Sequence, residues 1–243
     1  MTPRKNTSHI VLIAGHWLGA WAWDEVLEHL DSAGAPATAI TLPGLDRDDL
    51  ARSTRTLDDQ VAAIIDVLVR LNVSAEQPVT LVAHSGANAP VSVVLDRHPE
   101  LLHHMIWVDS GPMAPGTASA PDLPEQLEEL PLPPFDELAQ EASLEGLNAL
   151  ALERFRTLAV PEPGPVLRQT VELTNDARTS VPTTLVCCSI PSALVRELAR
   201  EGHPMFAEVA NLKTLDVTDL PTGHWPMWSR PADLAGMILS AAS

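Results

Sequence analysis

Short apolar runs alternate with longer segments of helical periodicity along most of this chain, and this alternation constrains its fold more than any other feature. The run HIVLIAG precedes WAWDEVLEHLDSAG, in which Trp23, Val26 and Leu30 recur at helical spacing. ATAITLPG with the segment 56–71, and PVTLVAHS with GANAPVSVVLDRHPELL, repeat the unit. The strand-like runs are almost wholly apolar, which is typical of parallel strands covered by helices on both faces. The sequence therefore predicts an α/β fold with a mostly parallel, doubly wound sheet.

The alternation stops after a fourth strand-like run, HMIWVDS, and resumes at VPTTLVCCS. The segment between them, 111–180, is rich in proline, leucine and acidic residues; we name it the insert. It predicts helices at about 135–142 and 144–159, separated by proline-rich connectors. Its frequent leucines favour a docked helical lid over a disordered segment. We expect one core domain, formed by 1–110 and 181–243, with the insert as its lid.

Composition limits the partners of such a domain. With 15 basic and 32 acidic residues the net charge is −17, which opposes binding to nucleic acid or anionic membranes. Apolar runs stay short of the ~20 residues that span a bilayer, and the stretch MTPRKNTSH lacks the apolar region of a secretory signal. The two cysteines, Cys187 and Cys188, are adjacent and offer no disulfide framework or metal-ligand spacing. We expect a cytoplasmic protein that binds a small molecule, without a metal or an organic cofactor.

One serine stands among small residues at the junction of the third strand and its helix, in Ala83-His84-Ser85-Gly86-Ala87. On a sharp strand-to-helix turn the Ser85 hydroxyl would be held clear of the sheet. The N-terminus of the following helix would supply backbone N–H groups and positive potential for an oxyanion. A serine in such surroundings is more often a helix cap, so the pentapeptide alone leaves both roles open.

This pentapeptide resembles the G-x-S-x-G nucleophile elbow of the α/β-hydrolase fold family, with alanine in place of both glycines. The stretch 13–23, IAGHWLGAWAW, is similar to the V-H-G-A-W-H-G-A-W-x-W signature of the plant esterase and hydroxynitrile lyase branch of that family. The resemblance implies that the main-chain N–H groups of His16 and Gly86 form an oxyanion hole. The family's usual histidine before the first glycine is Ala14 here.

Near the C-terminus, PTGHWPMW resembles the G-H-W-P-M segment that carries the family's catalytic histidine. The resemblance implies that His224 is the general base. A serine and histidine pair works best with a carboxylate that holds the imidazole in the right tautomer.

The sequence offers more than one position for that carboxylate. Most family members place it after the strand that reads VPTTLVCCS here, but residues 189–192 include no acid. A minority place it one strand earlier, where HMIWVDSGP supplies Asp109, in the chain order typical of the fold. Asp109 could instead cap a turn. Glu197 and Asp219 are weaker candidates for the acid.

Together these features predict an esterase-like serine hydrolase, in which His224 deprotonates Ser85 and an acyl-enzyme forms on an ester or related acyl substrate. Trp17, Phe135 and Phe155 are expected to line a pocket for an apolar substrate of small to medium size. Two alternatives remain: a lyase or cyclase that uses the same groups without an acyl-enzyme, and a catalytically weak small-molecule receptor. The sequence leaves the natural substrate, the oligomeric state and any motion of the lid open.

Overall fold

The computed structural model of this chain describes residues 8–243. Segment 1–7, most of the stretch in which we expected no secretory signal, lies outside the described residues. Across 8–243, no helix combines the length and the apolar character needed to cross a lipid bilayer.

Within residues 8–243, six parallel strands form the central sheet, and two short strands pair apart from it. In chain order the strands are Ile10–Ile13 (β1), Ala37–Ile40 (β2), Val79–His84 (β3), Leu102–Val108 (β4), Glu129–Leu130 (β5), Glu162–Pro163 (β6), Thr183–Cys187 (β7) and Leu215–Asp219 (β8). The sheet has the order β2-β1-β3-β4-β7-β8, while β5 and β6 pair separately and antiparallel. The predicted α/β class and parallel sheet are therefore confirmed.

Helices cover both faces of this sheet. In chain order, the helices of residues 8–243 are Asp24–Ser32 (α1), Leu57–Arg70 (α2), Asn88–Arg97 (α3), Phe135–Glu141 (α4), Ala149–Leu158 (α5), Gly164–Arg168 (α6), Ser192–Arg200 (α7), Pro226–Ser229 (α8) and Pro231–Ala241 (α9), of which α4, α5 and α6 belong to the insert. Alternate residues of β1 belong to different core clusters: Val11 to the cluster that includes residues of α2, α3 and α7, and Leu12 to the cluster that includes residues of α1 and α9. This two-sided burial explains why the strands read as continuous apolar runs.

The insert leaves the sheet after β4 and returns at β7. Helix α4 corresponds to the helix predicted at 135–142, but α5 begins later than the predicted 144–159. Gly146, at φ 82°, breaks the helical path, and the side chain of Asn148 then caps α5 by accepting from the N–H of Ala151 at 2.9 Å. The short elements β5, β6 and α6 were not predicted. The division into core and lid stays a prediction.

The sheet reverses its direction of growth at β1, because β2 is added on one side of it and β3 and the later strands on the other. Ile13 of β1 is paired with Ala83 of β3, so the loops after these two strands leave the sheet side by side. Ligand sites of open α/β sheets lie at the carboxyl ends of the strands at such a switch point.

Candidate active site

Ser85 stands on the turn between β3 and α3. Its φ is 51°, a left-handed conformation that a non-glycine residue adopts rarely and that is found mainly at functional sites. A 3-10 turn, Ser85–Ala87, leads from it into α3. A Cβ on Gly15 would lie 2.7 Å from Cβ of Ser85, so only glycine lets the loop after β1 approach this closely. The predicted sharp strand-to-helix turn is present.

Ser85, His224 and Asp109 are connected by hydrogen bonds. The Oγ of Ser85 lies 2.8 Å from Nε2 of His224, and Nδ1 of His224 lies 2.6 Å from Oδ2 of Asp109. Because a carboxylate only accepts, Nδ1 carries the proton and Nε2 is left to accept the hydroxyl proton of Ser85. The structure thus brings the three residues selected for the catalytic triad into the arrangement that a general base requires.

The carboxylate of Asp109 is bound by the loop after β7. Its Oδ1 accepts from the main-chain N–H groups of Cys188 and Ser189, both at 2.9 Å, and its Oδ2 accepts from the Ser189 hydroxyl at 2.5 Å. These donors come from the end of β7, the strand after which the resemblance would most often place the acid. Asp109 is therefore anchored across the sheet, whereas a turn cap would bind N–H groups of its own turn.

These contacts keep Asp109 ionised. Burial opposes its charge, but the hydrogen bonds from His224, Ser189 and the N–H of Cys188 outweigh burial and lower the pKa of Asp109 to about 2. Its side chain is only 4% exposed, so water screens these interactions little. In its ionised form the carboxylate can then hold the His224 imidazole at any pH well above about 2.

His84, the residue before Ser85, supports the main chain of His224. Its Nε2 lies 2.8 Å from the carbonyl oxygen of His224, which only accepts, so Nε2 carries the proton. Burial, and next the nearby His224, lower the pKa of His84 to about 3. His84 therefore stays neutral, and its Nδ1 is buried without a hydrogen-bond partner within the described residues. It fixes the main chain of His224, and we expect it not to exchange protons.

The neutral state of His84 predicts a pH dependence of stability. Its pKa is about 3 in the folded protein and near 6.5 when exposed on unfolding, so the unfolded chain binds the extra proton between these values. The His84 contribution is complete above pH 6.5 and is lost as pH falls from 6.5 towards 3, by at most about 1.4 kcal/mol per pH unit. Urea unfolding at several pH values should show a shallower decline for His84→Gln than for the wild type. Equal slopes would contradict this assignment.

The imidazole of His16 packs directly on Gly86. A Cβ added to Gly86 would lie 2.3 Å from Nε2 of this ring, so a side chain at 86 would displace it. Gly86 is the second residue of the 3-10 turn, and its N–H belongs to the helical N-terminus, where main-chain donors lack intrahelical partners. The Gly15 contact places the main chain before His16 within reach of the same N–H. The two residues chosen for the oxyanion hole thus lie side by side.

We expect Gly86→Ala to lower kcat, because the new methyl group must push the His16 ring and with it the loop after β1. Losing one oxyanion-hole donor costs roughly 10²-fold to 10³-fold in kcat, which sets the upper limit. In a His16→Ala background the methyl group has room, so Gly86→Ala should lower kcat much less there than in the wild type. A double-mutant cycle on kcat measures this coupling, and equal penalties in both backgrounds would refute the packing argument.

A cavity of about 860 Å³ opens above Ser85. Its lining is mostly small and apolar and comes from the insert and from the loops after β1, β7 and α7; it includes Trp17, Met113, Leu138, Ile190, Met205 and Phe206. Cys187 also lines it, but burial raises the pKa of this thiol to about 12, so it stays protonated. Of the three residues predicted to form the pocket, Trp17 lines this cavity.

Phe135 and Phe155 lie elsewhere, and this part of the prediction needs correction. Phe155 is fully buried and its ring centroid is 5.2 Å from those of both Trp225 and Trp228. Phe135 packs on Phe155 at 5.7 Å. Phe155 thus anchors α5 of the insert to the core, Phe135 of α4 packs on Phe155, and neither lines the cavity. Apolar content alone could not separate an anchoring residue from a lining one.

Three parts of the site were not predicted from sequence patterns: Glu162, Ser189 and the stretch 143–145. The carboxylate of Glu162 touches the loop after β1, Ser189 binds Asp109, and the stretch 143–145 of the insert binds the main chain next to the base. There, the N–H of His224 donates to the carbonyl of Ser143 at 2.7 Å. Each acts through a contact distant in sequence, and none lies in a recognisable motif.

Comparison with known proteins gives a match along nearly the whole chain. Residues 10–237 match the model of the alpha/beta hydrolase family. Methylesterase 1 of Arabidopsis thaliana is 23% identical over 275 residues, which cover 100% of this chain and 98% of that protein. Two chloroplastic relatives from the same plant, numbered 12 and 14 in the methylesterase series, reach 33% and 32% identity over 40% of this chain. The chain spans only 28% of the length of those two relatives.

Solved structures agree on the fold. An extracellular alpha/beta-hydrolase from a Paenibacillus species has a TM-score of 0.76 and 17% sequence identity, with 96% of this chain and 98% of that chain covered. At this identity the likeness concerns the fold. The predicted resemblance to the plant esterase branch rests on the sequence relatives, and it is confirmed by them.

Proposed function

Because this chain belongs to the alpha/beta hydrolase family, we propose that it is a serine esterase that cleaves a carboxylic ester through an acyl-enzyme on Ser85. The observation that carries the proposal is the hydrogen-bond chain from Asp109 through His224 to the Ser85 hydroxyl. An imidazole fixed by an ionised carboxylate and within reach of a hydroxyl is the arrangement that activates a serine nucleophile.

In the first step His224 Nε2 takes the hydroxyl proton of Ser85, whose Oγ forms a bond to the ester carbonyl carbon. The N–H groups of His16 and Gly86 stabilise the oxyanion that develops. Collapse of the intermediate breaks the ester bond, and the proton on Nε2 passes to the leaving alkoxide. Water then attacks the acyl-enzyme with His224 again as the base, which releases the acid and restores Ser85.

The cavity supports a substrate of small to medium size with apolar parts. Its volume of about 860 Å³ lies within the usual range of small-molecule sites. Methylesterase 1 is named for the cleavage of methyl esters, and on that relationship we propose methyl and other short-chain esters as first probes. We keep the cytoplasmic location as a prediction, since two of the relatives are chloroplastic.

The direct test is labelling with a fluorophosphonate, which reacts with activated serines, followed by mass spectrometry of the peptide that contains Ser85. We expect one adduct, located on Ser85, together with turnover of a short-chain p-nitrophenyl ester. Labelling without turnover of any ester would favour the lyase or cyclase, or the weak receptor. No labelling would remove the activated nucleophile on which the proposal rests.

A further inference from the structure

The insert binds Trp17, the residue that follows the proposed oxyanion-hole donor His16, through three separate hydrogen bonds. The main-chain N–H of Trp17 donates to the Glu162 carboxylate at 3.2 Å. Its carbonyl accepts from the N–H of Val160 at 3.0 Å. Its indole N–H donates to the carbonyl of Leu130 at 3.0 Å. All three partners belong to the insert, on β5 and β6 or beside them.

Trp17 needs such support because its backbone is in a rare conformation. Its φ is 66°, in the left-handed region that a bulky L-residue adopts rarely. A residue persists there only when its surroundings hold it. The hydrogen bonds from the insert take up both main-chain polar groups of Trp17 and its ring N–H, and so they provide this hold.

Glu162 is the partner with the least ordinary environment. Its side chain is 2% exposed, and a buried carboxylate is costly unless polar groups surround it. It has two such neighbours in the loop after β1: the Trp17 N–H, and Nδ1 of His16 at 3.3 Å from Oε2. One carboxylate therefore touches both the peptide that follows His16 and the imidazole that packs on Gly86.

We infer that Glu162 is a positioning residue of the oxyanion hole, acting through His16 and Trp17, and this inference rests on the proposed serine esterase function. His16 is held on both sides. Gly15, which precedes His16, packs closely on Ser85, and the N–H of Trp17, which follows His16, donates to Glu162. With both ends fixed, the direction of the His16 N–H is set before substrate arrives. Preorganised donors of this kind stabilise a developing oxyanion without reorganising during the reaction.

Through Glu162 the insert would help to position the oxyanion-hole loop as well as cover the site. The insert also touches the base, because the N–H groups of Gly223 and His224 donate to the carbonyls of Glu145 and Ser143. Glu162 differs from those main-chain contacts because its carboxylate can be changed without altering the backbone.

Two substitutions test the inference. Glu162→Met keeps most of the volume and removes both acceptor oxygens, whereas Glu162→Gln keeps an acceptor for the Trp17 N–H and removes the charge beside His16. We expect kcat to fall by up to about 10²-fold for Glu162→Met and by less for Glu162→Gln, with KM for a p-nitrophenyl ester little changed. The affinity for an aryl boronic acid, whose tetrahedral Ser85 adduct places an oxygen in the oxyanion hole, should fall in parallel with kcat.

The matched control is Glu129→Gln in the same pair of short strands. Glu129 binds Arg52 at 2.6 Å and has no hydrogen bond or ion pair with His16 or Trp17 within the described residues, so both kinetic constants and the boronic acid affinity should stay at wild-type values. If Glu162→Met folds and keeps wild-type kcat and boronic acid affinity, the inference is overturned. If Glu162→Met does not fold, Glu162→Gln decides by the same measurements.

A readout without activity separates this inference from the proposed function. Hydrogen exchange of the amides at 15–18 should be faster in Glu162→Met than in the wild type. Unchanged exchange would overturn the positioning role whatever the enzyme does. A wild type that takes up neither fluorophosphonate nor boronic acid would instead refute the serine esterase function, while faster exchange in the variant would still support Glu162 as the support of this loop.

Discussion

Replacing Ser85 with alanine is expected to abolish ester hydrolysis, with a fall in kcat on the order of 10⁶-fold, the size found when a triad nucleophile is removed. The reason is the position of its hydroxyl, held at φ 51° on the turn and 2.8 Å from Nε2 of His224. Alanine at this position removes the only atom that can form the acyl bond in the proposed mechanism. The measurement is kcat on a p-nitrophenyl ester, with active-site titration to exclude contaminating wild type.

The control for this change is Ser32→Ala. Ser32 lies at the end of α1 and its hydroxyl donates to the carbonyl of Glu28, outside the cavity, so kcat and fluorophosphonate labelling should be unaffected. The Ser85→Ala protein should unfold at nearly the wild-type temperature, because the change removes only one hydroxyl, which faces the active-site cavity, and opens no cavity in the core. Residual turnover within tenfold of wild type would mean that another group is the nucleophile.

Asp109→Asn is expected to lower kcat by about 10⁴-fold, the order observed when a triad carboxylate becomes an amide. The amide cannot accept from both sides as the carboxylate does. To keep the hydrogen bond from the Ser189 N–H it must present its NH₂ group towards His224, which then favours the wrong imidazole tautomer. The expected signature is a large loss in kcat with a small change in KM, measured over a range of pH.

Asp219→Asn serves as the matched control and tests the other nearby acid. Asp219 ends β8, and its carboxylate accepts from the N–H and the hydroxyl of Ser192 at 2.7 Å and 2.6 Å. These hydrogen bonds lower the pKa of Asp219, whose side chain is exposed to solvent. We expect wild-type kcat from this variant. Wild-type activity in Asp109→Asn together with a loss in Asp219→Asn would reverse the assignment of the acid.

Sequence was sufficient for the fold and for the parts of the site that lie in local patterns. The parallel sheet could be predicted because burial on both faces leaves continuous apolar runs. Ser85 and His224 stood in short motifs, and Asp109 stood at the end of a recognisable strand. Since the carboxyl ends of parallel strands meet at one edge, such residues converge in space even when they are far apart in the chain.

The tertiary contacts of the insert could not be predicted from sequence patterns. Phe135 and Phe155 have the composition of lining residues, but whether an aromatic ring faces a cavity or a core depends on how α4 and α5 dock, and docking leaves no periodic signal. Glu162 lies in a proline-rich connector and resembles a surface acid. Only tertiary packing makes it the buried neighbour of His16. The late start of α5, which Asn148 caps, depends on the conformation of Gly146, and the sequence pattern did not indicate that conformation.

The anchoring of Asp109 has a consequence for how such enzymes diverge. Its carboxylate is bound by amides that follow β7, so acids from two adjacent strands would arrive at one common point beside the imidazole. An acid carried by either strand would therefore place its charge beside the same imidazole. Lineages that look unlike at this position in an alignment would then share one electrostatic arrangement.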